Sequence, residues 1–172
     1  MRTRVVRLAG AYVLLAAAAA AGTNVPSPAP DVELQRADGG TVRLSDLKGK
    51  VVLVDFWASW CGPCKLSFPA LDAVYKHRHQ DGLEVLAVNV DEDRRSAEEF
   101  LKDRPHDMPI FFDPRGRAPA AFRVDGMPSS YLLDRRGRIR FKHVGYTAAI
   151  GSAQAREVEV LLAETESHST NE

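Results

Sequence analysis

The sequence predicts an α/β fold, a mixed central sheet with helices on both of its faces. Three observations predict it. Val51-Val52-Leu53-Val54-Asp55-Phe56-Trp57 is a nearly continuous apolar run, and residues 83–90 form a second. Such runs mark strands covered on both faces, as in a parallel sheet. Between them Leu66, Phe68, Leu71, Val74 and Tyr75 recur at helical spacing, so a helix makes the crossover. Towards the C-terminus two further strands, 131–133 and 139–144, are joined at Arg135-Arg136-Gly137 as a hairpin, and a helix over 148–164 follows. Strand–helix–strand followed by hairpin and helix closes a mixed sheet between two helical layers.

From the N-terminus, Arg2, Arg4 and Arg7 precede a short apolar segment, residues 8–21, that ends in Ala19-Ala20-Ala21. This is the pattern of a secretory signal peptide over 1–21, or of a membrane anchor through 8–21 if it stays uncleaved. The segment is short against the roughly 20 apolar residues of a membrane span. Neither cysteine lies near it, so it offers no lipid-attachment site of the lipoprotein kind. Residues 22–30, with Val25-Pro26-Ser27-Pro28-Ala29-Pro30, read as an extended proline-rich linker without packing. The folded domain is placed at 31–165. Residues 32–36 and 41–44 alternate about Asp38-Gly39-Gly40, an N-terminal β-hairpin. Ser45-Asp46-Leu47 is a helical turn ended by Gly49. The helix after Cys64 runs to about Gln80, with Pro69 expected to kink it. Ser96-Ala97-Glu98-Glu99 matches a capping box and opens a helix through Lys102. Ile110-Phe111-Phe112 is a short strand, 118–122 one or two helical turns, and 166–172 a disordered tail.

Formal net charge over the 172 residues is zero, with 23 basic and 23 acidic residues, so nothing points to nucleic acid. Loss of 1–21 removes three arginines and no acid, leaving the mature domain slightly acidic. Export places the chain where disulfides persist, the bacterial periplasm first among such compartments. That makes its two cysteines, Cys61 and Cys64, informative. They stand where the first buried strand hands over to the helix. A helix N-terminus carries unpaired N–H groups and partial positive charge, and both favour a thiolate. Pro63 suits the first helical turn, where no N–H is required. A structural zinc site wants four ligands, and no second cysteine pair exists. An inert disulfide across two residues would add little stability. Redox chemistry is therefore expected, with a metal- or copper-handling dithiol as the alternative.

The stretch Asp55-Phe56-Trp57-Ala58-Ser59-Trp60-Cys61-Gly62-Pro63-Cys64-Lys65 resembles the active-site segment of thioredoxin. The wider chain, from about Asp31 to about Thr165, resembles the exported TlpA/ResA-type thioredoxin-like proteins. The resemblance implies a thioredoxin fold with an N-terminal β-hairpin and a helix and strand inserted between Leu83 and Arg123. It implies a thiol–disulfide oxidoreductase that needs no cofactor beyond the Cys61–Cys64 disulfide. Cys61, at the first position of the helix, would be the nucleophile nearest solvent and Cys64 the more buried resolving thiol. Gly62-Pro63 is the pair thioredoxin uses, which points to a reductant.

Asp55 lies in an apolar strand, where an unpaired carboxylate is expensive. It is either a strand-end residue reaching water or a buried acid that accepts the Cys64 proton, and it matches the buried aspartate of thioredoxin. Glu92, after the second strand, matches the acid that TlpA/ResA-type proteins place beside the dithiol; the charges of Asp91, Asp93 and Arg94 make a solvated loop the competing reading. Met127-Pro128 matches the cis-proline loop, whose main chain would pair with an extended substrate. Trp60 is expected on the rim of the dithiol, with Trp57 packed beneath it. Lys65 reads as a solvated helix residue. His77 and His79, two apart on a helix, cannot grip one metal. The basic run 135–140 reads as a solvated sheet edge. The resemblance further implies a protein or peptide disulfide as substrate, recharging by a membrane thiol donor, and a role such as keeping cytochrome or copper-site cysteines reduced. A monomer that holds no metal is expected. The rivals are a disulfide oxidant or isomerase, a copper chaperone and a peroxidase.

Overall fold

A computed structural model describes residues 26–164; the expected signal segment 1–21 and the tail 166–172 lie outside them. The elements run β1 (Ser27–Pro28), β2 (Glu33–Arg36), β3 (Thr41–Arg43), a 3₁₀ turn (Leu44–Leu47), β4 (Val51–Trp57), α1 (Gly62–Arg78), a second 3₁₀ turn (His79–Asp81), β5 (Leu83–Asn89), α2 (Arg94–Lys102), β6 (Ile110–Phe112), α3 (Arg117–Phe122), β7 (Ser129–Leu133), β8 (Arg138–Val144) and α4 (Ala148–Ala163). They form one eight-stranded sheet in the order β1-β8-β7-β4-β5-β6-β2-β3. β4, β5 and β6 are parallel, and β7 and β8 are antiparallel to the strands beside them. This is the mixed sheet that the apolar runs predict.

β4 occupies the centre, and all seven of its residues are buried. Its side chains alternate between the two faces. Val51, Leu53 and Trp57 join Phe68 and Leu71 of α1, Ala97 and Phe100 of α2, and Val158 and Leu161 of α4. Val52, Val54 and Phe56 join Ala118 and Phe122 of α3 and Leu44 of the first 3₁₀ turn. The N-terminal hairpin turns at Gly39 and Gly40, with φ of +98° and +81°, a backbone that side chains rarely adopt. Its β2 strand pairs with β6 and extends that edge of the sheet.

Three local expectations are corrected. The proline-rich segment is not unpacked where it is described, because Ser27 and Pro28 pair with Ile139 and Arg138, and the Ala29 N–H donates to the Gly137 carbonyl at 3.0 Å. β8 is therefore not a bare edge. Its arginines are engaged as well: Arg138 binds Asp134, and Arg140 binds Glu164. α2 opens at Arg94, with the Asp93 side chain as cap, so Ser96 lies inside the helix. The earlier start is supported tertiarily, since the Arg94 guanidinium bonds the Ala37 carbonyl at 3.0 Å and stacks 4.3 Å over Phe112. α1 runs through Pro69 as one helix, from Gly62 to Arg78.

Candidate active site

β4 delivers its chain to the rim at Trp57, and the loop Ala58-Ser59-Trp60 turns it into α1. The Cys61 N–H donates to the Ala58 carbonyl at 3.1 Å and closes that turn. Cys61 is the N-cap rather than the first helical residue, and its Sγ accepts the Cys64 N–H at 3.2 Å. This is the geometry in which a helix N-terminus stabilises sulfur as an anion. α1 has no acid in its first turn to offset that field, and Lys76, His77 and Arg78 complement its other end. Cys61 and Cys64 are joined as a disulfide. Cys61 is 4% exposed and Cys64 fully buried, so an attacking group meets Cys61 first. Around them Trp60, Gly62, Pro63 and Leu66 are exposed, Trp60 at 69% and Leu66 at 66%. These exposed apolar residues flank the disulfide, with the exposed Lys65 among them. Beside it a groove is lined by Ser59, Lys65, Arg95, Glu99, Phe100 and Arg104.

Beneath the dithiol, Trp57 packs on Phe68 at 5.4 Å and on Phe100 at 4.9 Å between ring centroids. These rings tie α1 and α2 to the end of β4. Trp57 Nε1 has no acceptor, alone in this among buried side-chain N and O atoms of the described residues.

Asp55 lies two residues from both Leu53 and Trp57, so it points with them to the face of the sheet that carries both cysteines. It is 1% exposed. Its cross-strand partner on β7 is Ser130, whose hydroxyl donates to it at 2.6 Å. Burial pushes its pKa up to about 7, and the Ser130 hydrogen bond offsets only part of this. Such a carboxyl takes or gives a proton near neutral pH. It lies in the middle of β4, not at the wet end.

Glu92 is exposed in the loop between β5 and α2. The buried acid of that loop is its neighbour Asp91, which from its charged neighbours reads only as part of a solvated run. Asp91 accepts from the Ser59 N–H at 2.9 Å, the Ser59 hydroxyl at 3.1 Å and the Asn89 side-chain amide at 2.8 Å. A signal for it was present: Asn89 is a polar residue at the end of an apolar strand and needs a partner there.

The Met127–Pro128 peptide is cis, at the mouth of β7. Pro128 is buried and Met127 half-buried, in contact with both core layers. The Pro128 carbonyl accepts the Gly145 N–H at 2.8 Å, which fixes the loop to the end of β8. His77 bonds the Ala73 carbonyl and His79 stacks on Tyr75, each on its own helix turn. Among the described residues no group of three or more His, Cys, Asp or Glu side chains is arranged to hold a metal ion.

A strand end, a capped dithiol and a cis-proline loop at one end of the sheet make up the redox site of a thioredoxin fold. Residues 25–142 match the AhpC/TSA family, and the chain belongs to that thioredoxin-like family. It is 36% identical over 113 residues to the thiol-disulfide oxidoreductase ResA of Bacillus subtilis, a match covering 66% of this chain and 63% of that protein. It is 38% identical over 127 residues to the thioredoxin-like protein YneN of the same organism, covering 72% of this chain and 74% of that one. Among solved structures, a Chlorobium tepidum protein assigned as the thiol:disulfide interchange protein DsbE superposes with a TM-score of 0.76 at 40% identity, over 80% of this chain and 96% of the other.

Proposed function

We propose that the chain is an exported protein-disulfide reductase. The observation that carries the proposal is the buried Asp55, with its pKa near 7, on the face of the sheet where the buried Cys64 must lose a proton. In the reductive cycle the Cys61 thiolate attacks one sulfur of a substrate disulfide. That bond breaks, Cys61 becomes joined to the substrate, and the other substrate sulfur leaves as a thiolate. Cys64 gives its proton to Asp55 and attacks the Cys61 sulfur. The substrate leaves with its second thiolate, and two electrons have passed to it from the protein. Asp55 then returns the proton to water or substrate. Glu92 is exposed in the loop between β5 and α2, and the proton in this cycle is carried by Asp55.

The direction is supported by Gly62-Pro63, the pair found in thioredoxin, which lies near the reducing end of the dithiol scale at about −270 mV. A protein substrate is supported by the exposed ring of Trp60, Gly62, Pro63 and Leu66. The Met127 main chain beside it, which takes part in none of the hydrogen bonds among the described residues, is open to an extended segment. Residues 1–21 carry the pattern for export. Among the described residues no helix is long and apolar enough to cross a membrane. In an oxidising compartment a reductant must be recharged, so a membrane thiol donor is its partner. The cysteines it keeps reduced would be those awaiting haem or copper during cytochrome assembly.

Equilibration in thiol–disulfide buffers, read by tryptophan fluorescence with Cys61→Ser as control, tests the direction. A potential at or below about −250 mV supports a reductant, and one between about −120 and −180 mV overturns it in favour of an oxidant or isomerase.

A further inference from the structure

We infer that Asp91 is a positioning residue for the dithiol: it holds the Ser59 turn, and through that turn the sulfur of Cys61. The inference rests on the thiol–disulfide reading of the site. Ser59 stands two residues before Cys61 in the turn that Cys61 closes on Ala58. Asp91 takes both donors of Ser59, main-chain and hydroxyl, at 2.9 and 3.1 Å. It is itself held from behind. The Asn89 side chain donates to its carboxylate at 2.8 Å and accepts its N–H at 3.0 Å. Asn89 is fully buried and locked in the sheet opposite Trp57. The Val90 N–H bonds the Trp57 carbonyl at 3.0 Å, and the Asp113 N–H bonds the Asn89 carbonyl at 2.9 Å. The clasp thus runs from the rigid end of β5 to the one loop that carries the nucleophile.

Disulfide closure between Cys61 and Cys64 is intramolecular. Its equilibrium depends on how well the two sulfurs are held in bonding position. Cys64 is carried by α1, whose packing on the sheet fixes it. Cys61 lies outside the helix, so the turn before it sets its place. Releasing Ser59 lets Cys61 sample other positions, lowers its effective concentration at Cys64, and makes the disulfide easier to reduce. The negative charge of Asp91 is not what acts. An asparagine of the same shape presents its carbonyl oxygen to the Ser59 and Asn89 N–H groups, and its amide donates to the Ser59 hydroxyl instead.

The molecule contains its own control. Asp72 on α1 is equally buried and also clasps a loop, accepting the N–H groups of Asp107 and Met108 at 2.7 and 3.0 Å. That loop lies between α2 and β6 and carries no cysteine.

The test is the dithiol–disulfide equilibrium constant against glutathione or dithiothreitol, with thermal stability measured alongside. Asp91→Ala is expected to make the disulfide about three- to tenfold easier to reduce, tenfold being about 30 mV. Asp91→Asn is expected to stay within about twofold of the parent and Ser59→Ala to shift in the same direction as Asp91→Ala by a smaller factor. Asp72→Ala is expected to lower the melting temperature and leave the redox equilibrium unmoved. If Asp91→Ala behaves like Asp72→Ala, Asp91 serves stability alone and the inference is overturned. If Asp91→Asn matches Asp91→Ala, charge rather than position is responsible, and it is overturned again. Should Asp91→Ala fail to fold, Ser59→Ala decides, an unmoved equilibrium counting against. A parent protein that exchanges no disulfide with either buffer would instead sink the thiol–disulfide reading itself.

Discussion

Asp55 in the centre of the sheet and Asp134 at the β7–β8 turn are buried to nearly the same depth, at 1% and 5% exposure. Their protons nevertheless move in opposite directions. Asp55 is surrounded by apolar strand and has the Ser130 hydroxyl as its one donor among the described residues; burial dominates and its pKa rises to about 7. At Asp134 burial also pushes upward, but more donors converge. The Arg138 guanidinium gives two hydrogen bonds, at 2.9 and 2.7 Å, and the Arg136 and Arg138 N–H groups add one each at 3.0 Å. The pKa of Asp134 is held below its usual value. Depth alone does not set the charge of a buried acid; the number of donors facing it does. The richly bonded aspartate shapes a turn, and the poorly bonded one is left able to carry a proton.

The largest effect that would break this contrast is in stability. The folded pKa of Asp55 lies above its unfolded value of 3.8, so its contribution is whole below pH 3.8 and is lost as pH rises through about 7. Over that window the parent should lose on the order of 4 kcal/mol relative to Asp55→Asn, measured by chemical denaturation at pH 4 and pH 8. Parallel pH curves for the two proteins would show that Asp55 is not perturbed. Next comes rate. Asp55→Asn should slow release of the mixed disulfide about 10²-fold and abolish the inflection near pH 7 in turnover, while the first attack by Cys61 is spared. An unchanged pH profile in stopped-flow reduction of a protein disulfide would remove Asp55 from the proton path.

Asp134 should show the opposite sign. Its pKa is depressed, so its contribution is present above the ordinary carboxylate value and lost as pH falls through the folded one. Asp134→Asn is expected to destabilise by about 2 kcal/mol at pH 7, shrinking towards acid pH, without any effect on turnover. A destabilisation that persisted undiminished at low pH would point to packing rather than charge. Smallest is Trp60→Ala at the exposed rim, which should leave stability within about 0.5 kcal/mol while lowering kcat/KM for a protein disulfide several-fold. Equal loss against a small aromatic disulfide would assign Trp60 to the dithiol chemistry and not to docking.

Much of the fold was legible because its signals are local. The apolar runs at Val51–Trp57 and Leu83–Asn89 appear as the parallel core strands, and the glycines at 39 and 40 turn the expected hairpin. The dithiol at a strand-to-helix junction and the acid inside β4 could be named from the residues, and the proline at 128 from the resemblance to thioredoxin. Two misreadings share one cause. Asp93 displaced Ser96 as the cap of α2, and Asp91, read only as part of a solvated loop, is buried. Neighbouring acids in one short loop have the same local propensities, and only the packing around them separates one from the next.

The sequence by itself determined the class of chain and its chemistry. Periodicity is a property of consecutive residues, and a Cys-Gly-Pro-Cys at a helix start is a local arrangement. Tertiary structure decided what those groups do with one another. It paired Ser27 and Pro28 with β8, turned Asp55 towards the cysteine face with a single donor, and brought Asp91 across 32 positions to Ser59. The register of β4 against β5 and β7 is set by contacts far apart in the chain. The electrostatics of a buried group depends on the donors and the water that the whole fold brings to it or keeps from it.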